Sequence, residues 1–184
     1  MKSSSMRISM LAVILLAGLT FVSSCSYFQN RKIKKIRQME RALDNIPMSD
    51  TALASDLVKA YQKFAEKYPK DSLSPAFLVR AGTIMLNNGK TQQAIDQFRY
   101  IMATFPSSPH APISHFMLAF TYDNYLRDFT TAETLYRGFM VKYPNHDLKD
   151  DAENALNYLG REPEDMIREF QPLNEEDSIR FGYK

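Results

Sequence analysis

Apolar residues recur at helical spacing through the middle of the chain, and one pattern of them appears three times. The segments are LVKAYQKFAEKYP, AIDQFRYIMATFP and AETLYRGFMVKYP, which begin at Leu57, Ala94 and Ala132. Each has an aromatic residue at its fifth position, a large apolar residue at its eighth, and an aromatic-proline pair at its end. A pattern repeated at a nearly constant interval predicts an array of similar helical units.

Prolines and polar residues indicate where further helices begin. Pro75 and Pro112 each stand six residues after the proline that closes a segment, and the first turn of a helix accommodates proline because its missing N–H is not needed there. Ser74 is the predicted N-cap before Pro75. Thr130 and Glu133 have the spacing of a capping box, which predicts a helix start near Thr131. Each unit is therefore expected to be helix, short turn, helix.

Less regular helices are expected on either side. We predict helices at residues 31–45 and 50–67, a polar helix in DLKDDAENALNYLG that Gly160 closes, and a short helix in EPEDMIREF. The last residues show no apolar period. The pattern as a whole predicts an all-α chain, with a helical domain at residues 31–170 and a polar C-terminal tail at residues 171–184.

The N-terminal residues have the organisation of an export signal. Lys2 and Arg7 precede an uncharged run whose apolar centre reads MLAVILLAGLTFV, followed by the small residues Ser23 and Ser24 and the single cysteine, Cys25. This is the order of a secretory signal peptide. An uncleaved anchor helix is the alternative, since about 20 uncharged residues can span a bilayer.

The stretch VSSC resembles the lipobox of bacterial lipoproteins. The resemblance implies a signal peptide at residues 1–24, cleavage before Cys25, lipid on that cysteine, and a lipidated linker at residues 25–30. With no second cysteine in the chain, an intramolecular disulfide is excluded.

Charge is balanced overall but unevenly placed. Removing Lys2 and Arg7 from 23 basic residues leaves 21, which equals the 21 acidic residues. The run RKIKKIR, from Arg31 to Arg37, is basic, and the segment from Asp147 to Asp177 is mainly acidic. A folded body without a basic surface argues against a nucleic-acid partner. The basic run is either a solvated helix face or a contact with anionic lipid headgroups.

The sequence contains no recognisable catalytic motif. His110, His115 and His146 occur in no metal-ligand motif, and neither a G-x-S-x-G elbow nor a phosphate-binding loop is present. Carboxylate pairs such as Asp150-Asp151 lie in acidic stretches, whereas general acids need an apolar pocket. We expect no enzymatic activity, no metal, no cofactor and no small-molecule substrate.

Two of the repeated units resemble the tetratricopeptide repeat, which has a small residue in its first helix and the pattern A-x3-F, then proline, in its second. The residues that carry this resemblance are Gly82, Ala94, Phe98 and Pro106 in one unit, and Ala119, Ala132, Tyr136 and Pro144 in the next. Small residues let the paired helices cross closely, and each buried aromatic side chain contributes about 1.5–3 kcal/mol. The resemblance implies a short solenoid with about two regular repeats and irregular flanking helices.

In this repeat family the first helix of each pair lines a concave binding surface. The resemblance places a peptide- or protein-binding groove at Val79, Thr83, Asn87, Phe116, Phe120 and Asn124. Val79 and Phe116 stand where the carboxylate-binding version has lysine, so a free C-terminus is not the expected ligand. The expected site is an apolar strip bordered by amides that suits an extended segment or a helix. The alternative is that Phe116 and Phe120 are buried between helices.

Exported lipoproteins with short arrays of this kind resemble two families, and the resemblance covers about Asp50 to Gly160. One is the BamD-type lipoprotein of the outer-membrane β-barrel assembly machinery, and the other is the periplasmic coordinator associated with the Tol–Pal system. Ser26 follows the cysteine with no acidic cluster, which by family analogy favours the periplasmic face of the outer membrane.

These resemblances imply a non-catalytic scaffold, anchored by lipid, that binds an envelope protein or peptide, with a β-barrel assembly component as the candidate partner. The alternatives are a Tol–Pal or cell-wall and division coordinator, and an accessory subunit of an envelope enzyme.

Overall fold

A computed structural model of the chain describes residues 27–43 and 51–161. The predicted signal peptide, Cys25, the EPEDMIREF helix and the C-terminal tail lie outside them. The described residues form seven helices and no strand. The prediction of an all-α helical repeat fold is therefore confirmed.

The helices follow the predicted order. They are α1 (residues 27–43), α2 (Thr51–Lys67), α3 (Leu73–Asn87), α4 (Thr91–Thr104), α5 (His110–Asn124), α6 (Phe129–Lys142) and α7 (Lys149–Tyr158). The chain divides into two compact units, the first ending at Asn88 and the second beginning at Gly89. Helices α1 to α3 belong to the first unit, and α4 to α7 belong to the second. Among the described residues, no helix combines the length and apolar character needed to cross a bilayer.

Aromatic side chains form the core of the first unit. Tyr61 of α2 stacks on Phe77 of α3 with ring centroids 5.0 Å apart, and Phe64 meets the same ring edge-on at 5.1 Å. Helix α1 adds Ile36, which is almost fully buried. Burial of this apolar area is the main stabilising contribution to the unit.

Helix α1 begins earlier than the apolar pattern predicts, because residues 27–30 are already helical. Gln29, in that added turn, donates a side-chain hydrogen bond to the carboxylate of Asp71. This hydrogen bond joins residues that are 42 positions apart in the sequence, and it fixes residues 27–30, which were predicted to be part of a linker.

The core of the second unit is built from the predicted repeat residues. Ala119, Ala132, Tyr136 and Phe139 form one fully buried cluster with Ala152 of α7. Methyl side chains at the alanines let α5, α6 and α7 approach closely, and the two rings fill the space beside them. The other predicted small and aromatic residues, Gly82, Ala94 and Phe98, are also buried.

Prolines follow the helix ends as the pattern indicates. Helix α4 ends two residues before Pro106, and α6 ends two residues before Pro144. Proline is common just beyond a helix end because it cannot continue the hydrogen-bond ladder.

The prediction that Ser74 caps α3 is wrong. The helix already begins at Leu73, and Ser74 is buried in its first turn, where its hydroxyl donates to the Tyr68 carbonyl at 2.6 Å. Asp71 instead accepts from the Leu73 N–H at 2.7 Å. The carboxylate satisfies one of the free N–H groups at the helix start, so a serine cap is not needed.

The predicted capping box at Thr130 and Glu133 is also wrong. Asp128 is the N-cap of α6, and its carboxylate accepts from the Thr131 N–H at 3.1 Å and from the Thr131 hydroxyl at 2.6 Å. These hydrogen bonds hold the pKa of Asp128 below its ordinary value. Glu133 pairs with Arg137 one turn later. A carboxylate caps well because its charge also interacts favourably with the helix dipole.

Candidate functional site

Phe116 and Phe120 lie one turn apart on α5 but have different surroundings. The Phe116 ring is half-buried and packs against Tyr136 and Phe139, with centroids 5.7 and 5.9 Å away. The Phe120 ring is also half-buried, but its neighbour is the exposed ring of Tyr125 at 6.2 Å. Phe116 therefore belongs to the core, while Phe120 lies at the surface.

The end of α5 presents apolar side chains to solvent. Tyr125 is 42% exposed and Leu126 is 46% exposed. Beside them, Asn124 is exposed and donates from Nδ2 to the Phe120 carbonyl at 3.2 Å. We call Phe120, Asn124, Tyr125 and Leu126 the α5 surface. It joins two aromatic side chains and one aliphatic side chain to an amide, which suits an apolar segment of another protein.

The predicted groove residues of α3 belong to the first unit. Val79 and Thr83 are half-buried, Asn87 is exposed, and the Thr83 hydroxyl donates to the Val79 carbonyl at 3.2 Å. Thr83 lines a cleft of about 410 Å³ whose other walls come from α1 and α2, including Leu43 and Leu57. Thr83 of α3 therefore lies in a cleft that is closed by α1 and α2.

A polar network that sequence reasoning missed lies in this cleft. The Glu40 carboxylate accepts from the Tyr61 hydroxyl at 2.7 Å and from Arg80 Nη1 at 2.6 Å. Burial raises the pKa of Tyr61, and the adjacent carboxylate raises it further. Glu40 is 21 residues from Tyr61 and 40 residues from Arg80 in the sequence, so no local pattern identifies these contacts.

His115 is the buried histidine of the second unit. Its ring meets Phe139 and Tyr143 edge-on, with both centroids 5.9 Å away, and its Nδ1 atom has no partner among the described residues. Burial lowers the pKa of His115, and the charge of Lys142 lowers it further. The imidazole is therefore neutral at pH 7.

The imidazole also lies against α6 at Gly138, where a Cβ would be 3.7 Å from the ring, an ordinary van der Waals contact, so this packing does not require glycine. In contrast, Nδ1 of His146 accepts a hydrogen bond from the Leu148 N–H at 3.1 Å. This hydrogen bond stabilises the turn before α7. Within the described parts of the chain, no three His, Cys, Asp or Glu side chains are grouped to hold a metal ion.

Comparison with known families supports the repeat assignment. Residues 76–108 and 114–146 each match the family model of the tetratricopeptide repeat. The prediction of two such repeats is confirmed. No curated protein matches the chain. Tetratricopeptide repeats are typically non-catalytic scaffolds for protein–protein interaction, so a protein partner is the expected kind of ligand.

Proposed function

We propose that this chain is a non-catalytic scaffold, held by lipid on Cys25 at the periplasmic face of the outer membrane, which binds an envelope protein during outer-membrane protein assembly. The observation that carries the proposal is the α5 surface, where apolar side chains are exposed within a tetratricopeptide repeat. Large apolar side chains clustered at a protein surface are typical of sites that bind partners.

The composition of the α5 surface defines the kind of partner. Phe120 and Tyr125 supply flat apolar area, and the Asn124 amide supplies hydrogen-bonding capacity at the border. The four residues of the α5 surface are themselves uncharged and mainly apolar, and Asp123 and Arg127 flank them in the chain. We therefore expect an apolar segment, extended or helical, from a β-barrel assembly component.

The location rests on the N-terminal sequence. VSSC resembles the lipobox, and Ser26 with no acidic cluster after it favours the outer membrane by analogy with other lipoproteins. Lipid on Cys25 would leave the repeats in the periplasm, where the partner must also be.

Site-specific crosslinking in intact cells tests this function. A photo-crosslinking amino acid at Tyr125 is expected to capture a protein partner, which mass spectrometry then identifies. The matched control is Tyr100 on α4, a tyrosine of the same unit that is 50% exposed, against 42% for Tyr125. Equal adducts from both positions would contradict a site on α5. Capture of a Tol–Pal or cell-division component would reject the assembly role and favour the coordinator role.

A further inference from the structure

A cleft between α1 and α2 is lined by four lysines. Lys32 and Lys35 come from α1, Lys59 and Lys63 come from α2, and the cleft measures about 330 Å³. Its apolar lining consists of Ile36, Met39, Ala60 and Phe64, and its single acidic residue is Asp56. We call this the lysine cleft. Four positive charges against one negative charge leave a net charge of +3.

The charge of the lysine cleft is largely unpaired. In residues 27–43 and 51–161, Lys32, Lys35 and Lys63 form no ion pair, while Lys59 pairs with Asp56 at 3.2 Å. Both side chains of that pair are more than 60% exposed, so their attraction is weak. Like charges held around one cleft repel each other, and an anionic ligand relieves that repulsion.

Two exposed aromatic residues precede the lysines of α1. Tyr27 and Phe28, at the described start of α1, are 62% and 54% exposed. Helix α1 runs antiparallel to α2, because Gln29 bonds Asp71 just beyond the end of α2 and Glu40 bonds Tyr61. The aromatic pair therefore lies at the same end of the unit as Lys63.

We propose that the lysine cleft and the Tyr27–Phe28 pair form a membrane-contact face that binds the phosphate groups of anionic phospholipids. Exposed aromatic side chains are enriched at membrane interfaces, and lysines near an anionic surface add to binding. The proposal rests on the proposed lipid anchor, since Cys25 stands two residues before Tyr27. An acidic peptide would use the lysines but would leave the aromatic pair without a role.

Vesicle binding by the processed chain tests the proposal without its lipid. The chain from residue 25 onward, carrying Cys25→Ala, is sedimented with vesicles of phosphatidylcholine alone, or of three parts phosphatidylcholine to one part phosphatidylglycerol. We expect binding to the anionic vesicles, weakened by high salt, and much weaker binding to the neutral ones. Equal binding to both would overturn the proposal. Because no lipid is attached, a failure here is distinct from a failure of the Cys25 anchor or of partner capture by the α5 surface.

A matched pair of double variants locates the binding face. Lys59→Gln with Lys63→Gln removes one paired and one unpaired lysine from the cleft. Lys90→Gln with Arg137→Gln does the same in the second unit, where Arg137 pairs with Glu133. We expect the cleft variant to bind anionic vesicles roughly 25-fold more weakly, about fivefold for each charge. We expect the control to change by less than about threefold, because neither of its residues lines the lysine cleft. Equal loss in both variants would show that only overall charge matters.

Two further experiments distinguish a membrane from other ligands of the lysine cleft. Tyr27→Ser with Phe28→Ser is expected to weaken vesicle binding roughly tenfold with no change in melting temperature, since both side chains are exposed. A synthetic peptide of the acidic residues 162–184 serves as the competing ligand. If the cleft variant lost binding to this peptide but bound vesicles like the control, the cleft would be a site for the C-terminal segment and the membrane proposal would be wrong.

Discussion

The carboxylate of Glu40 on α1 lies 2.6 Å from the guanidinium of Arg80 on α3, and the same oxygen accepts a hydrogen bond from the buried hydroxyl of Tyr61. The Glu40 side chain thus connects α1 to both α2 and α3. The two charged members of this network differ in exposure, since the side chain of Arg80 is 58% exposed and that of Glu40 only 22%.

Glu40→Ala should therefore lower the free energy of unfolding by about 1–3 kcal/mol, because it leaves the Tyr61 hydroxyl without its acceptor. Arg80→Ala should cost less than about 1 kcal/mol, as is usual for an exposed ion pair. Urea denaturation of both variants measures the difference. An Arg80 variant that loses as much as the Glu40 variant would show that the ion pair, and not the tyrosine hydrogen bond, dominates.

Stability should fall as the pH is lowered past the ordinary pKa of histidine, and His115 should be a main cause. Its folded pKa lies below its unfolded value of about 6.5, so the unfolded chain binds the proton more readily. The stabilisation is complete above about pH 6.5 and is lost as the pH falls toward the folded pKa. Thermal melts from pH 7.5 to pH 5.5 should show a smaller decline for His115→Gln than for wild type. Parallel declines would remove His115 as the cause.

Two glycines at the same backbone angle should respond differently to alanine. Gly89 and Gly160 both have φ +71, but a Cβ at Gly89 meets nothing within 4 Å, whereas one at Gly160 would lie 3.3 Å from the Phe129 ring. Gly89→Ala should cost about 1–2 kcal/mol from backbone conformation alone. Gly160→Ala should cost more, because the ring must also move. Melting temperatures of the two variants provide the comparison, and a larger loss at Gly89 would contradict the contact.

The two phenylalanines of α5 should separate binding from folding. Phe120→Ser combined with Asn124→Ala should abolish partner capture at Tyr125 while the protein melts almost normally. Phe116→Ser should destabilise by about 2–4 kcal/mol, because its ring packs on Tyr136 and Phe139. Crosslinking yield and thermal melts are measured on the same preparations. Unfolding of the Phe120 variant would place that ring in the core.

Cys25→Ala should yield a folded protein that is released from membranes and no longer incorporates labelled fatty acid. Membrane fractionation and metabolic labelling measure the two properties. A variant that still sediments with membranes at the size of the unprocessed chain would support an uncleaved N-terminal helix instead. Protease treatment of intact cells should leave the wild-type protein undigested if it faces the periplasm.

Helix identity and repeat register could be predicted from the sequence because both depend on residues close together in the chain. Apolar residues three and four positions apart form one helical face, and prolines end helices by removing a backbone donor. The buried positions of Ala119, Ala132 and Tyr136 follow from the repeated pattern. Helix capping was predicted less well, since Ser74 and Asp71, like Thr130 and Asp128, compete for the same N–H groups at equally short range.

Contacts between helices were decided only by the tertiary structure. Phe116 and Phe120 are indistinguishable in the sequence, and packing against α6 places the first in the core. Glu40 and Arg80 stand 40 residues apart, and the lysines of α1 line one cleft with those of α2 because the two helices pack against each other. Such pairings depend on how helices cross in space. Local periodicity states which face of a helix is buried, but it does not state which side chains of another helix that face will meet.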